Sequence, residues 1–129
     1  MEDSTVYLRR ATLGDWARLY EWRNEPRTRD GSLQNGAVGL ADHVAWLRRI
    51  LADENVQLYI GESEQTGSAL GTCRLERTSG QERRLACSIT VDPEQRGHGV
   101  AMTLLRLLLE LVPNGTTVVA TVKVNNIAS

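Results

Sequence analysis

At 129 residues, with 41% hydrophobic and 24% charged side chains, the chain has the length of one domain able to bury a core and the balance of a soluble globular protein. A formal net charge of −1 supplies no basic field, which argues against nucleic acid or an anionic membrane as partner. The opening MEDSTVYLRR has no apolar core, so neither signal peptide nor membrane span is expected, and two cysteines are too few for a disulfide framework or a metal site; the expected compartment is the cytoplasm.

Val6-Tyr7-Leu8 predicts a short first strand. Thr12 is a candidate cap three residues before Asp15, and Trp16, Leu19, Tyr20 and the stem of Arg23 then recur at helical spacing as far as Asn24. Pro26 ends that helix. Residues 27–41 read as a long loop punctuated by Gly31, Gly36 and Gly39, a length that in a compact domain marks a functional segment. A second helix starts near Leu40-Ala41-Asp42 and carries Val44, Leu47, Ile50 and Leu51 as its stripe. With phenylalanine absent, tryptophan carries much of the aromatic bulk; Trp22 and Trp46 are read as core of this first part rather than as stacking platforms.

Three strands are expected next, over 57–62, 69–77 and 83–91, the last two joined by the turn Thr78-Ser79-Gly80-Gln81. Leu85, Cys87, Ile89 and Val91 share one face of the third. A hairpin symmetric about Gly80 sets Cys73 opposite Cys87, read as two reduced, buried thiols. From Gly99 to Leu111 only Arg106 and Glu110 are charged, so this helix is expected to be buried on more than one side. A strand over 116–124 then lies parallel to 83–91 through a right-handed crossover.

The stretch between the third of these strands and its helix, Val91-Asp92-Pro93-Glu94-Gln95-Arg96-Gly97-His98-Gly99-Val100-Ala101, brings a strand end, a basic glycine turn and a helix start together. A helix start offers N–H groups and a positive dipole end to an anion, and glycine lets the backbone come close. A Walker A loop needs Gly-Lys-Ser/Thr, which is absent. As a dinucleotide fingerprint the run has Met102 where a third small residue belongs, and no acidic residue ends the next strand.

Arg96-Gly97-His98-Gly99-Val100-Ala101 does fit Arg/Gln-x-x-Gly-x-Gly/Ala, and with the strand and leucine-rich helix around it resembles the acetyl-CoA pyrophosphate loop of the GCN5-related N-acetyltransferases. The resemblance covers the whole chain. It implies a mixed α/β fold, a mostly antiparallel sheet with helices on both faces, with acetyl-CoA as co-substrate and no metal. It also implies that Arg96, Gly97, His98, Gly99, Val100 and Ala101 hold the diphosphate, and that backbone groups around Ile89 and Val91 pair with the pantetheine amides. Val122 to Ser129 is similar to the family's V-x-x-x-N-x-x-S segment, which assigns Asn126 to the cofactor arm. A narrower likeness joins Glu21-Trp22-Arg23-Asn24-Glu25-Pro26-Arg27-Thr28-Arg29 with His43-Val44-Ala45-Trp46-Leu47. It resembles the W-R-N … H-x-x-W segment of enzymes acting on a nucleotide-linked amino sugar, and of the ribosomal-protein N-terminal acetyltransferases. The first group is preferred.

Family members continue with a helix carrying a tyrosine and a last strand pair. The expectation is therefore a domain lacking those parts, without the tyrosine that protonates the leaving thiolate, and with an exposed strand over 116–124 that invites a homodimer. A non-catalytic acyl-CoA-binding module completed by a second chain is the alternative to an enzyme. The expected partner is a small-molecule amine, with Arg23, Asn24 and His43 as its binding residues. His43 is also the candidate base with an ordinary pKa near neutrality, an early-helix cap or surface histidine being the other reading; Glu76 and Asp92 are further options, and no catalytic acid is identifiable.

Overall fold

A computed structural model of the chain describes residues 6–24, 39–77, 84–95 and 99–122. Five strands form one sheet in chain order: β1 (Val6–Arg10), β2 (Val56–Ser63), β3 (Ala69–Arg77), β4 (Arg84–Val91) and β5 (Thr117–Val122). The first four are antiparallel neighbours and β5 lies parallel to β4, as the crossover required. Three helices accompany them: α1 (Trp16–Asn24), α2 (Leu40–Ala52) and α3 (Val100–Glu110). The fold class and the order of elements match the sequence reading. Of the loop expected over 27–41, residues 27–38 lie outside the described residues and Leu40 and Ala41 belong to α2; the expected turn Thr78-Ser79-Gly80-Gln81 also lies outside them.

Strand alternation divides the core into two halves. On one face Cys73, Leu75, Cys87, Ile89 and Val91 pack beneath Leu104 and Leu108 of α3. On the other, Leu58 and Ile60 meet Leu19 and Trp22 of α1 and Leu47 of α2. Trp22 is core, as read, with Trp46 at the edge of the same cluster. Gly61 and Gly71 sit under Leu104: a Cβ on Gly61 would come to 2.4 Å from Leu104 Cδ2. The two missing side chains are what let α3 settle on the sheet.

Two expectations need correction. Cys73 pairs with Ile89 and Leu75 with Cys87, so the hairpin is offset by two residues from a Gly80-centred one. Both cysteines are nonetheless free and buried, and burial pushes the Cys73 thiol up to about 12. Secondly, α3 is covered on one side only among the described residues: Leu104 and Leu108 are sealed, while Met102, Leu109 and Leu111 are exposed. An apolar helix on one face of a single sheet buries one stripe, whatever its other positions hold.

An ionic network ties β1, β2 and the start of α1. Arg9 grips Asp15 with both terminal nitrogens, at 2.7 and 2.9 Å, and donates from Nε to Glu62 at 2.8 Å. Asp15 also accepts the Thr12 N–H at 2.8 Å, the capping that Thr12 promised, one turn of 3-10 helix ahead of α1. Glu62 accepts the Tyr7 hydroxyl at 2.6 Å. Hydrogen bonds from Arg9 hold the Asp15 carboxyl below its ordinary value, and those from Tyr7 and then Arg9 do so for Glu62. A carboxylate with a depressed folded pKa adds stability above its unfolded pKa and loses it as pH falls through the folded one. Arg9→Ala should thus cost about 1–2 kcal/mol at pH 7, discounted for the guanidinium's partial exposure. The difference from the parent should shrink below about pH 4. Urea denaturation at pH 7 and pH 3 measures it; an unchanged difference would remove these carboxylates from the account.

Candidate functional site

The end of β4 and the start of α3 define one part of the site. The side chains of Ile89 and Val91 are buried against α3, so neither can offer a ligand its side chain. The described pairing of β4 with β5 reaches Ile89 against Val122, and β4 runs on to Val91. Asp92 then donates its N–H to the Leu70 carbonyl at 2.8 Å, and a short turn over Pro93–Gln95 comes next. Gly99 re-enters as the cap of α3 with φ 73° and ψ 12°, left-handed backbone that favours glycine. Among the described residues an added Cβ there would meet nothing within 4 Å. Val100 and Ala101 form the first turn, whose N–H groups have no partner inside the helix. A helix start with glycine at the cap and no described side chain over it is an arrangement suited to an anion. Arg96, Gly97, His98 and Asn126 lie outside the described residues.

The other part stands between α1 and α2. Four side chains that the sequence spaces at three-residue intervals, Tyr20 and Arg23 on α1, His43 and Trp46 on α2, meet across the helix pair. His43 is fully buried, neither a cap nor a surface residue. Its Nε2 lies 3.0 Å from the Trp16 carbonyl and its Nδ1 3.2 Å from the Arg23 guanidinium. A carbonyl only accepts and a guanidinium only donates, so Nε2 carries the hydrogen and Nδ1 accepts. Burial, and then the Arg23 charge, lower its pKa, so the ring is neutral at pH 7 with both nitrogens engaged. No nitrogen remains to take a proton from a substrate.

Arg23 is the group this arrangement presents. Its guanidinium carbon stands 4.3 Å from the centre of the Trp46 ring. Burial and the neighbouring Arg49 charge both work against the cation. Among the described residues no carboxylate pairs with it. A half-buried guanidinium held by an aromatic face and a neutral imidazole is preorganised for an anion. Tyr20, Trp46 and Arg49 were not among the residues the sequence put forward. The signal for the first two was the shared interval, visible only once the helices are known to face each other.

Between these two parts lies a strip of sheet that belongs to neither apolar cluster of the described residues. The apolar core on the α1–α2 face stops at Leu58 and Ile60, with Ala69 at its edge. Thr72, Arg74, Glu76, Ala86, Ser88 and Thr90 continue that face half-buried. Glu76 pairs with Arg74 and sits opposite Ala86, five residues, or about 17 Å of strand, from Val91. That distance separates it from chemistry at the end of β4. Asp92 lies at that end, but Oδ1 accepts the Glu94 N–H at 2.8 Å and Oδ2 faces Arg18 at 3.8 Å. Among the described residues no three of His, Cys, Asp and Glu gather to hold a metal ion, and no helix is long and apolar enough to cross a membrane.

Comparison with known proteins gives the geometry a context. The family model for the acetyltransferase (GNAT) domain matches residues 5–129. No curated protein sequence matches the chain. Among solved structures, a spermidine N-acetyltransferase from Vibrio cholerae with CoA and spermine superposes with a TM-score of 0.72 at 19% identity, covering 83% of this chain and 63% of that one. The aminoglycoside acetyltransferase AAC(6')-Ib with coenzyme A gives 0.69 at 27% identity, covering 86% and 69%. A domain from Methanocaldococcus jannaschii gives 0.71 at 18%, covering 84% and 70%. The chain thus spans less than two thirds of the spermidine enzyme's length.

Proposed function

The chain belongs to the GNAT acetyltransferase family, and from that premise we propose that it transfers the acetyl group of acetyl-CoA to a primary amine on an acceptor that also carries negative charge, a nucleotide-linked amino sugar. The first half of the reading is supported by Gly99: left-handed backbone at a helix start, with none of the described residues standing where a side chain would be. Gly99, Val100 and Ala101, with Arg96, Gly97 and His98 from the same motif, would hold the diphosphate; Val91, beyond the last described β4–β5 pair of Ile89 with Val122, would align the pantetheine through its backbone. Bound acetyl-CoA supplies the acyl group as a thioester open to direct attack by a neutral amine in a ternary complex. A backbone N–H at the end of β4 is suited to polarise its carbonyl.

The second half is carried by a single observation, the Arg23 guanidinium stacked on Trp46 without a carboxylate among the described residues. Two of the similar structures bear the names of enzymes for spermidine and an aminoglycoside, both polycationic amines. A guanidinium that no carboxylate of the described residues pairs with disfavours such an acceptor and favours a phosphate or carboxylate. His43 orients that guanidinium through Nδ1, and Asn24 follows Arg23 as the last residue of α1.

The test is a coupled assay of thiol release with acetyl-CoA and four acceptors: a uridine-diphosphate amino sugar, spermidine, an aminoglycoside and a peptide with a free N-terminus. The nucleotide sugar is expected to turn over best. Arg23→Ala should raise its KM about 10–100-fold, the worth of one charge-assisted hydrogen bond, while the KM for acetyl-CoA stays within about twofold. Preference for spermidine or the aminoglycoside would overturn the acceptor assignment and leave the cofactor assignment standing.

A further inference from the structure

Asp92 is hydrogen-bonded at three of its four polar atoms. Its N–H donates to the Leu70 carbonyl at 2.8 Å, and its carbonyl accepts the Gln95 N–H at 2.9 Å. Its Oδ1 accepts the Glu94 N–H at 2.8 Å, and its Oδ2 faces Arg18 at 3.8 Å. The carboxylate is only 13% exposed. The anchor on β3 continues the β3–β4 ladder: Gly71 faces Val91, and Leu70 faces Asp92 next. The missing side chain at Gly71 admits the Thr90 carbonyl, which a Cβ would meet at 2.6 Å.

We propose that Asp92 is a positioning residue for the cofactor: by accepting the Glu94 N–H, its side chain sets the direction in which the chain leaves β4 for the diphosphate loop. The inference rests on the reading that acetyl-CoA binds between the end of β4 and the start of α3. A side chain that caps the second amide after itself in this way forms an Asx turn, a local substitute for a backbone turn. What matters is then the acceptor oxygen, not the charge. Arg18 is half exposed and shared with Glu21 at 3.5 Å, so its attraction to Asp92 is weak. A general base would need the opposite: the ionisable group, with its oxygen free for a proton.

The two roles separate in the variants Asp92→Asn, Asp92→Ser and Asp92→Ala. Asparagine keeps the acceptor oxygen and loses the charge; serine offers a weaker acceptor; alanine offers none. The readouts are the Kd of acetyl-CoA by calorimetry, and kcat and KM for acetyl-CoA with an amine that the parent acetylates. We expect Asn to hold the parent's affinity within about twofold, Ser to weaken it about threefold, and Ala about tenfold, equivalent to about 1.4 kcal/mol. kcat should change little across the series. An Asn variant as impaired in kcat as the Ala variant would make Asp92 catalytic and overturn the proposal, as would equal affinities throughout. Should the Ala variant not fold, the ranking of Asn above Ser decides it. A parent that binds no acetyl-CoA overturns the functional reading itself, an outcome distinct from a parent that binds and variants that match it.

Discussion

Leu104→Ala should destabilise the protein by about 3–4 kcal/mol, towards the upper part of the range for a leucine lost from a sealed core. Leu104 has no exposed surface and is the side chain on which the sheet's two glycines converge. The informative experiment is the cycle with those glycines. A Cβ on Gly61 would lie 2.4 Å from Leu104 Cδ2, with Leu8 as its next neighbour at 3.5 Å, so what it meets first is the far end of a movable side chain. A Cβ on Gly71 would lie 2.9 Å from Leu104 but 2.6 Å from the Thr90 carbonyl, which is backbone. Alone, each Gly→Ala change should cost about 1–3 kcal/mol through overpacking. In the Leu104→Ala background, Gly61→Ala should become nearly neutral, because the new methyl enters space the leucine left. Gly71→Ala should keep most of its cost, since the carbonyl has not moved. The coupling energy for the 61–104 pair should therefore exceed that for 71–104 by about 1 kcal/mol in urea denaturation. Equal coupling would mean that β4 yields at Thr90, and that the close approach of β3 to the end of β4 is not fixed by Gly71.

The fold was legible because its signals are periodic. Alternation every two residues gave β2 to β4, and the apolar stripe on 44–51 gave α2 to within a residue. Register was not legible, and the reason is the same periodicity. Moving the β3–β4 pairing from Cys73–Cys87 to Cys73–Ile89 shifts it by two residues, which leaves every side chain on the face it already had. Hydrophobic pattern cannot tell those registers apart; only the turn can. His43 was misplaced for a different reason. Histidine carries little weight in a hydropathy stripe, yet its position four residues before the sealed Leu47 set it on the buried side of α2. Once there, it had to be hydrogen-bonded at both nitrogens, and the Trp16 carbonyl and Arg23 meet that need. Arg23 was named as a site residue from its motif, but its stacking on Trp46 depends on how two helices meet, which no single segment encodes. The role of Asp92 was hidden in like manner: a carboxylate after a strand reads equally as a free base or as a turn cap until its partners are known.

Gly99→Glu should abolish measurable acetyl-CoA binding, a loss of at least about 100-fold, while leaving a folded protein. The two effects come apart because of what surrounds the residue. A Cβ at position 99 meets nothing within 4 Å among the described residues, so these leave the glutamate room. The stability cost is confined to the backbone: φ of 73° is left-handed, and a residue with a Cβ held there costs about 1–2 kcal/mol. The binding cost is electrostatic. The start of α3 favours negative charge, so the new carboxylate would settle where the diphosphate is to sit, and a like charge in a ligand's place costs several kcal/mol. Gly99→Ala isolates the backbone share, since it carries the same strain without the charge. It should lower stability by about 1–2 kcal/mol and weaken acetyl-CoA by no more than about tenfold. Gly99→Lys completes the set: it has the strain and bulk of glutamate with the opposite sign, and should bind more tightly than glutamate by a margin that narrows with salt. Calorimetry at low and at high ionic strength, alongside thermal unfolding of each variant, gives all three quantities. If glutamate and lysine impair binding alike, bulk rather than charge decides, and the open space above Gly99 holds some part of the ligand other than its diphosphate. If neither impairs it, acetyl-CoA does not pass over Gly99, and the resemblance of 96–101 to a diphosphate loop is one of sequence alone.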